Sequence, residues 1–105
     1  MTYKLEDALC TIEQATSCSD HPGKPVAADE IESVVYFEDR ADRNLESSDT
    51  LTICKLKSGF WILAQEWSDY TGHGCQCSGT LEVFDSLADL VACGLDKEQR
   101  GRIKL

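Results

Sequence analysis

Residues 51–67 read LTICKLKSGFWILAQEW, two apolar-rich runs on either side of Ser58-Gly59. Their β-branched and aromatic side chains suit a pleated sheet, and Gly59 supplies the backbone freedom of a tight turn. The stretch is therefore predicted to be a β-hairpin with a two-residue loop. In that register Leu56 faces Trp61 and Cys54 faces Leu63 on one surface. Lys55 lies opposite Ile62 on the other, its stem covering apolar area while its charge reaches water. The second run is apolar on both sides, which predicts an interior place in a sheet.

Working outward, residues 31–38 carry Val34, Val35, Tyr36 and Phe37 and are predicted to form a strand. With the hairpin it makes a three-stranded meander. Thr80 to Phe84 adds a short edge strand. Asp39 to Asp49 reads as a charged connection, and Ser17 to Pro25, with two prolines and a glycine, as a loop. A helix is predicted over residues 3–16, where Leu5, Leu9 and Ile12 recur at helical spacing and Ala8 and Ala15 widen the stripe. Thr2 can cap it, and Glu6 and Asp7 suit the positive end of its dipole. Near the C-terminus, Asp85 or Ser86 can cap a helix carrying Leu87, Leu90 and Val91 that Gly94 terminates. Asp96 and Gln99 have capping-box spacing for a last helix that buries Ile103 and exposes Arg100, Arg102 and Lys104. The expected architecture is one α+β domain over residues 1–105, a three- or four-stranded antiparallel sheet with N- and C-terminal helices packed against a face.

At 105 residues the chain can build one core, and its 42% apolar content is that of a folding sequence. The net charge of −9 disfavours bare nucleic acid and anionic membranes as partners. The imbalance is local too: residues 26–50 hold eight carboxylates against Arg40 and Arg43, and no Lys or Arg lies between Lys57 and Lys97. Such a surface can attract a basic protein, although solubility alone also accounts for it. No apolar run is long enough to span a membrane and the start lacks a secretory pattern. Cys10, Cys54 and Cys93 sit within apolar patterns where a reduced thiol packs well, so the expected location is the cytoplasm. Three disulfides in an extracellular protein are the alternative.

Candidate chemistry concentrates in Trp67-Ser68-Asp69-Tyr70-Thr71-Gly72-His73-Gly74-Cys75-Gln76-Cys77. Trp67, Asp69, Tyr70 and His73 are the interface candidates. Trp61 is the more core-like tryptophan, and Trp67 and Tyr70, nearer the loop, are expected to be exposed. His73, Cys75 and Cys77 are ligand types that suit zinc, with Asp69 or the distant Cys54 to complete a site. Cys75-x-Cys77 has one intervening residue rather than the usual two, and no second ligand pair follows; Cys18 and His21 are near one another but alone make no site. The same spacing argues against a Cys-x-x-Cys redox centre. Ser68, Asp69 and His73 include hydrolase residue types without a nucleophile elbow, and Gly72 with Gly74 does not make a phosphate loop.

The hairpin, Ser68-Asp69-Tyr70-Thr71-Gly72, Cys75-Gln76 and the later Leu87, Leu90, Gly94 and Leu95 together resemble a group of small bacterial or phage proteins of uncharacterised function. The resemblance covers residues 31–105. It implies an architecture and no activity. Members often carry an aromatic residue where this chain has His73, so it does not imply a shared histidine chemistry.

The reading that follows is a cytoplasmic accessory or regulatory protein, not an enzyme, that binds another macromolecule through an acidic and aromatic surface. A zinc-binding or metal-stabilised protein using His73, Cys75 and Cys77, with or without catalysis, is the alternative.

Overall fold

A computed structural model describes residues 3–17, 28–39, 47–69 and 76–103. Thr2, Cys18, His21, Tyr70, His73, Cys75 and Lys104 therefore lie outside the described residues, as do most of the two expected loops. In chain order the elements are helix α1 (Leu5–Ser17), a 3-10 turn (Ala28–Glu30), and strands β1 (Ile31–Asp39), β2 (Ser47–Leu56), β3 (Trp61–Asp69) and β4 (Gln76–Phe84). Helix α2 (Leu87–Asp89) runs on as a π-helical turn over Leu90–Gly94, and helix α3 (Lys97–Ile103) follows.

The strands form one antiparallel meander in the order β1-β2-β3-β4. This is the expected α+β fold with its four-stranded sheet. The expected charged connection is shorter than predicted, because Asp39 and Ser47 to Asp49 already pair as strand. Likewise β4 begins at Gln76, four residues before the predicted Thr80.

The hairpin register differs from the prediction by one residue. Lys55 pairs with Trp61, Cys54 with Ile62 and Ile53 with Leu63. The Leu56 N–H donates to the Phe60 carbonyl at 2.8 Å and the Gly59 N–H to the Leu56 carbonyl at 3.0 Å, so three residues, Lys57 to Gly59, make the loop. Gly59 takes φ 97°, the left-handed position of a three-residue hairpin loop. A one-residue slip exchanges the faces of one strand relative to the other. Lys55 consequently lies over the Trp61 ring, 5.9 Å from its centroid, instead of opposite Ile62.

Both faces of the sheet are covered, not one. On the first, Ala8, Ile12 and Ala15 of α1 pack on Ile31, Cys54, Leu56, Ile62 and Ala64. On the second, Leu90, Leu95 and Ile103 pack on Leu51, Ile53 and Leu63. The apolar run Ile62-Leu63-Ala64 is wholly buried because its alternate side chains feed two separate cores. The stripe of α1 is centred on its small residues, while Leu5 is exposed. Ala15 comes so close to the sheet that a Cβ on Gly79 of β4 would lie 2.5 Å from the Ala15 carbonyl oxygen and 2.6 Å from its Cα.

The C-terminal caps are those predicted. Ser86 Oγ accepts from the Asp89 N–H at 3.1 Å. Asp96 and Gln99 form a reciprocal box: Gln99 N–H donates to Asp96 Oδ1 at 2.8 Å, and Asp96 N–H to Gln99 Oε1 at 3.1 Å. The helical turn ends at Gly94, as expected, and the glycine has a second role. A Cβ there would meet Phe84 Cζ at 2.8 Å and Leu63 Cδ2 at 3.0 Å, so the glycine admits the aromatic ring. Arg102 is not simply exposed either. Its Nε and Nη2 grip the two oxygens of Glu38 at 3.0 and 2.6 Å, which ties α3 to β1 through a bidentate, partly buried pair.

Candidate functional site

Two concavities flank the β3 strand, one on each face of the sheet. The C-terminal helices cover only part of the second face. Their limit is marked by Gln99, whose amide donates to Gln65 Oε1 at 2.8 Å. Beyond it an open hollow of about 350 Å³ is lined by Asp49, Gln65, Trp67, Ser78, Thr80 and Glu82. Trp67 is 41% exposed. It lies between its cross-strand partners, Asp49 on β2 and Ser78 on β4. A partly exposed indole with a carboxylate on the neighbouring strand offers a cation an aromatic surface and a counter-charge. The breadth of the hollow suits a side chain of a macromolecule better than an enclosed small molecule.

On the other face, between α1 and the sheet, a recess of about 220 Å³ is lined by Asp7, Cys10, Gln14, Phe37, Asp39 and Glu66, among others. A polar seam joins helix and sheet there. Thr11 Oγ1 donates to Thr50 Oγ1 at 2.8 Å, and Thr50 Oγ1 donates to Glu66 Oε1 at 2.9 Å. With its amide nitrogen turned toward the carboxylate, Gln14 donates to both Glu66 oxygens at 3.1 Å. Glu66 is 3% exposed, and this set of donors replaces the water it gives up on burial. The seam orients α1 on the sheet and needs no ligand. Sequence reasoning passed over Thr11, Thr50 and Glu66. The available signal was Glu66 close behind the apolar run Ile62-Leu63-Ala64, on the same strand face as Ile62 and Ala64.

The sequence-predicted site residues fare unequally. Trp67 is exposed, as expected, and Trp61 is half-buried against the second core. Asp69 and Cys77 are placed by backbone as strand positions, Asp69 paired with Gln76 and Ser68 with Cys77, so the candidate loop narrows to residues 70–75. Tyr70, His73 and Cys75 fall in that segment, outside the described residues. Cys54, offered as a distant fourth ligand, lies far from Cys77, which pairs with Ser68. Cys54 is paired with Ile62, six residues along β3 from Ser68, a distance of about 20 Å at the rise of a strand. Among the described residues, no group of three or more His, Cys, Asp or Glu side chains is arranged to hold a metal ion.

Cys54 is instead a core thiol, fully buried and 3.7 Å from Thr52 Oγ1. Burial pushes its pKa above the ordinary thiol value, against a smaller opposite effect of the Thr52 hydroxyl. Tyr36 is also raised, by desolvation first and then by the neighbouring Glu38 charge. Both groups are neutral when protonated, and the folded chain holds these protons more tightly than the unfolded chain. Their contribution to stability is complete below the ordinary thiol pKa and is lost as pH rises through the folded values. Urea midpoints measured between about pH 8 and 11 should therefore fall, and Cys54→Ala should flatten the lower part of that fall. An unchanged slope in the variant would show that Cys54 does not contribute.

No family model matches the chain, and no curated protein or solved structure matches it. No residue role is therefore carried over from another protein.

Among the described residues no helix is long and apolar enough to cross a membrane.

Proposed function

We propose that the protein is a non-enzymatic, cytoplasmic accessory protein that binds a protein partner through the hollow around Trp67. The observation that supports this reading is the exposed indole beside Asp49, on a sheet face that the C-terminal helices leave open. Exposed tryptophans set in a polar rim are favoured anchors of protein interfaces. The acidic surroundings select a basic partner and speed its approach without themselves supplying most of the affinity. The cytoplasmic placement is supported by Cys54, packed as a free thiol in the first core.

The test compares the wild-type chain with Trp67→Ala and Asp49→Lys as baits in extract from the source cells. One partner should be retained by the wild type at stoichiometric amounts and reduced at least about tenfold by each substitution. Thermal melts of the variants should remain cooperative, with Asp49→Lys within about 0.5 kcal/mol of wild type and Trp67→Ala losing more because over half of its indole is covered. A partner retained equally by both variants would place the interface elsewhere.

A further inference from the structure

The sheet has two outer strands, and they are unlike. β1 is irregular, with register shifts between Ile31 and Ser33 and again between Val34 and Tyr36. Bulges of that kind bend an edge and spoil it as a template for further pairing. β4 has no such protection. It pairs with β3 over nine consecutive positions without a register shift, and Gln76–Phe84 contains neither lysine nor proline. Among the described residues no strand pairs with its outer side. An uninterrupted strand of this length presents alternating N–H and C=O groups that a further strand satisfies.

We propose that β4 is the docking edge for an extended, basic segment of a protein partner, which joins the sheet as a fifth strand. The inference rests on the reading of the Trp67 hollow and specifies how a partner reaches it. A strand added beside β4 lies about 4.8 Å beyond it, and its side chains alternate between the two faces. On the open face they stand next to Ser78, Thr80 and Glu82, all of which line the hollow. Ser78 separates the newcomer from Trp67 and is small, so an arginine crossing it reaches the indole, while the side chain four positions along meets Glu82. On the other face the added strand meets Val83, which is 58% exposed, and an apolar residue there covers it.

Charge chooses the occupant. The chain carries −9 overall, and the region from Lys57 to Lys97 holds six carboxylates with no Lys or Arg between its ends. A second copy docking edge to edge would bring like charges together, whereas a segment alternating arginine with valine complements both faces of β4.

The test uses the full chain and a synthetic nine-residue peptide alternating Arg and Val, a counterpart with Glu for every Arg, and two versions N-methylated at odd or at even positions. Calorimetry gives affinity, and hydrogen exchange followed by NMR reports the β4 amides. The Arg/Val peptide is expected to bind at least about tenfold more tightly than its Glu counterpart and to protect the outward amides of β4. One N-methylated version should bind and the other should not, because only alternate amides of an added strand face its neighbour. Trp67→Ala should weaken binding by about tenfold. Binding that leaves β4 unprotected, or that Trp67→Ala abolishes while both N-methylated peptides bind, overturns strand addition and leaves the Trp67 hollow standing. Protection of β4 that ignores Trp67 keeps the docking edge and removes the hollow. Equal binding of the Glu peptide overturns the charge argument and the proposal with it. Outward amides already protected in the free chain, whether by its own segment or by a second copy seen in sedimentation, also overturn it.

Discussion

Replacing Gly79 with alanine should destabilise the protein by about 3 kcal/mol and lower its melting temperature by about 15 °C. The added methyl would sit 2.5 Å from the Ala15 carbonyl oxygen and 2.6 Å from its Cα, and both are backbone atoms. No rotamer change relieves such a contact; α1 as a whole has to lift from the sheet. Lifting it loosens the first core, in which Ala8, Ile12 and Ala15 touch strands β2 and β3. The control is Gly101→Ala, at an exposed position in α3 where an added Cβ meets nothing within 4 Å. That change should raise stability by about 0.5–1 kcal/mol, since glycine in a helix interior is more costly than alanine. Urea denaturation of the pair decides the matter. If both substitutions shift the midpoint in the same direction, close packing of α1 on β4 is not what Gly79 provides.

The second large effect belongs to the opposite face. Leu63→Ala empties a fully buried site at the centre of the second core and should cost about 3 kcal/mol, a substantial share of the total stability of a domain this size. Its neighbour makes the assignment specific. Gly94→Ala alone should cost about 1 kcal/mol, because Phe84 Cζ and Leu63 Cδ2 have to yield to the new methyl. Once Leu63 is truncated, one of those obstacles is gone and Phe84 has room to swing. The double variant should then be more stable than the sum of the two single losses by about 1 kcal/mol. Strict additivity would mean that the two positions do not share the space that the structure assigns them.

Local signals with one physical cause were legible in the sequence. Gly59 announced the hairpin, Ser86 and the Asp96/Gln99 pair announced helix starts, and each capping side chain makes the hydrogen bond its spacing predicts. The register was not legible. Ser58-Gly59 and Lys57-Ser58-Gly59 both satisfy a glycine-dependent loop, and hydrophobicity could not arbitrate between them. Ile62, Leu63 and Ala64 are apolar on either face, so a one-residue slip costs that pattern nothing. The same run was nevertheless the sign that both faces are covered. Buried Thr11, Thr52 and Glu66 escaped notice because a search for apolar periodicity skips polar core residues. At the candidate site, Trp67 was found by its place near the end of a strand. The hollow beside it was not, since its lining comes from β2, β3 and β4 and depends on where α3 begins its crossing of the sheet, at Gln99.

The close seat of Ala15 on Gly79 also bears on the order of events during synthesis. About sixty residues separate the two positions, so the ribosome takes several seconds after making the helix to supply the strand on which it rests. The meander, by contrast, joins neighbours in sequence and can zip as each strand emerges. The nascent chain can thus seat its first helix on β2 and β3 early, and only the close contact of Ala15 with Gly79 has to follow the arrival of β4.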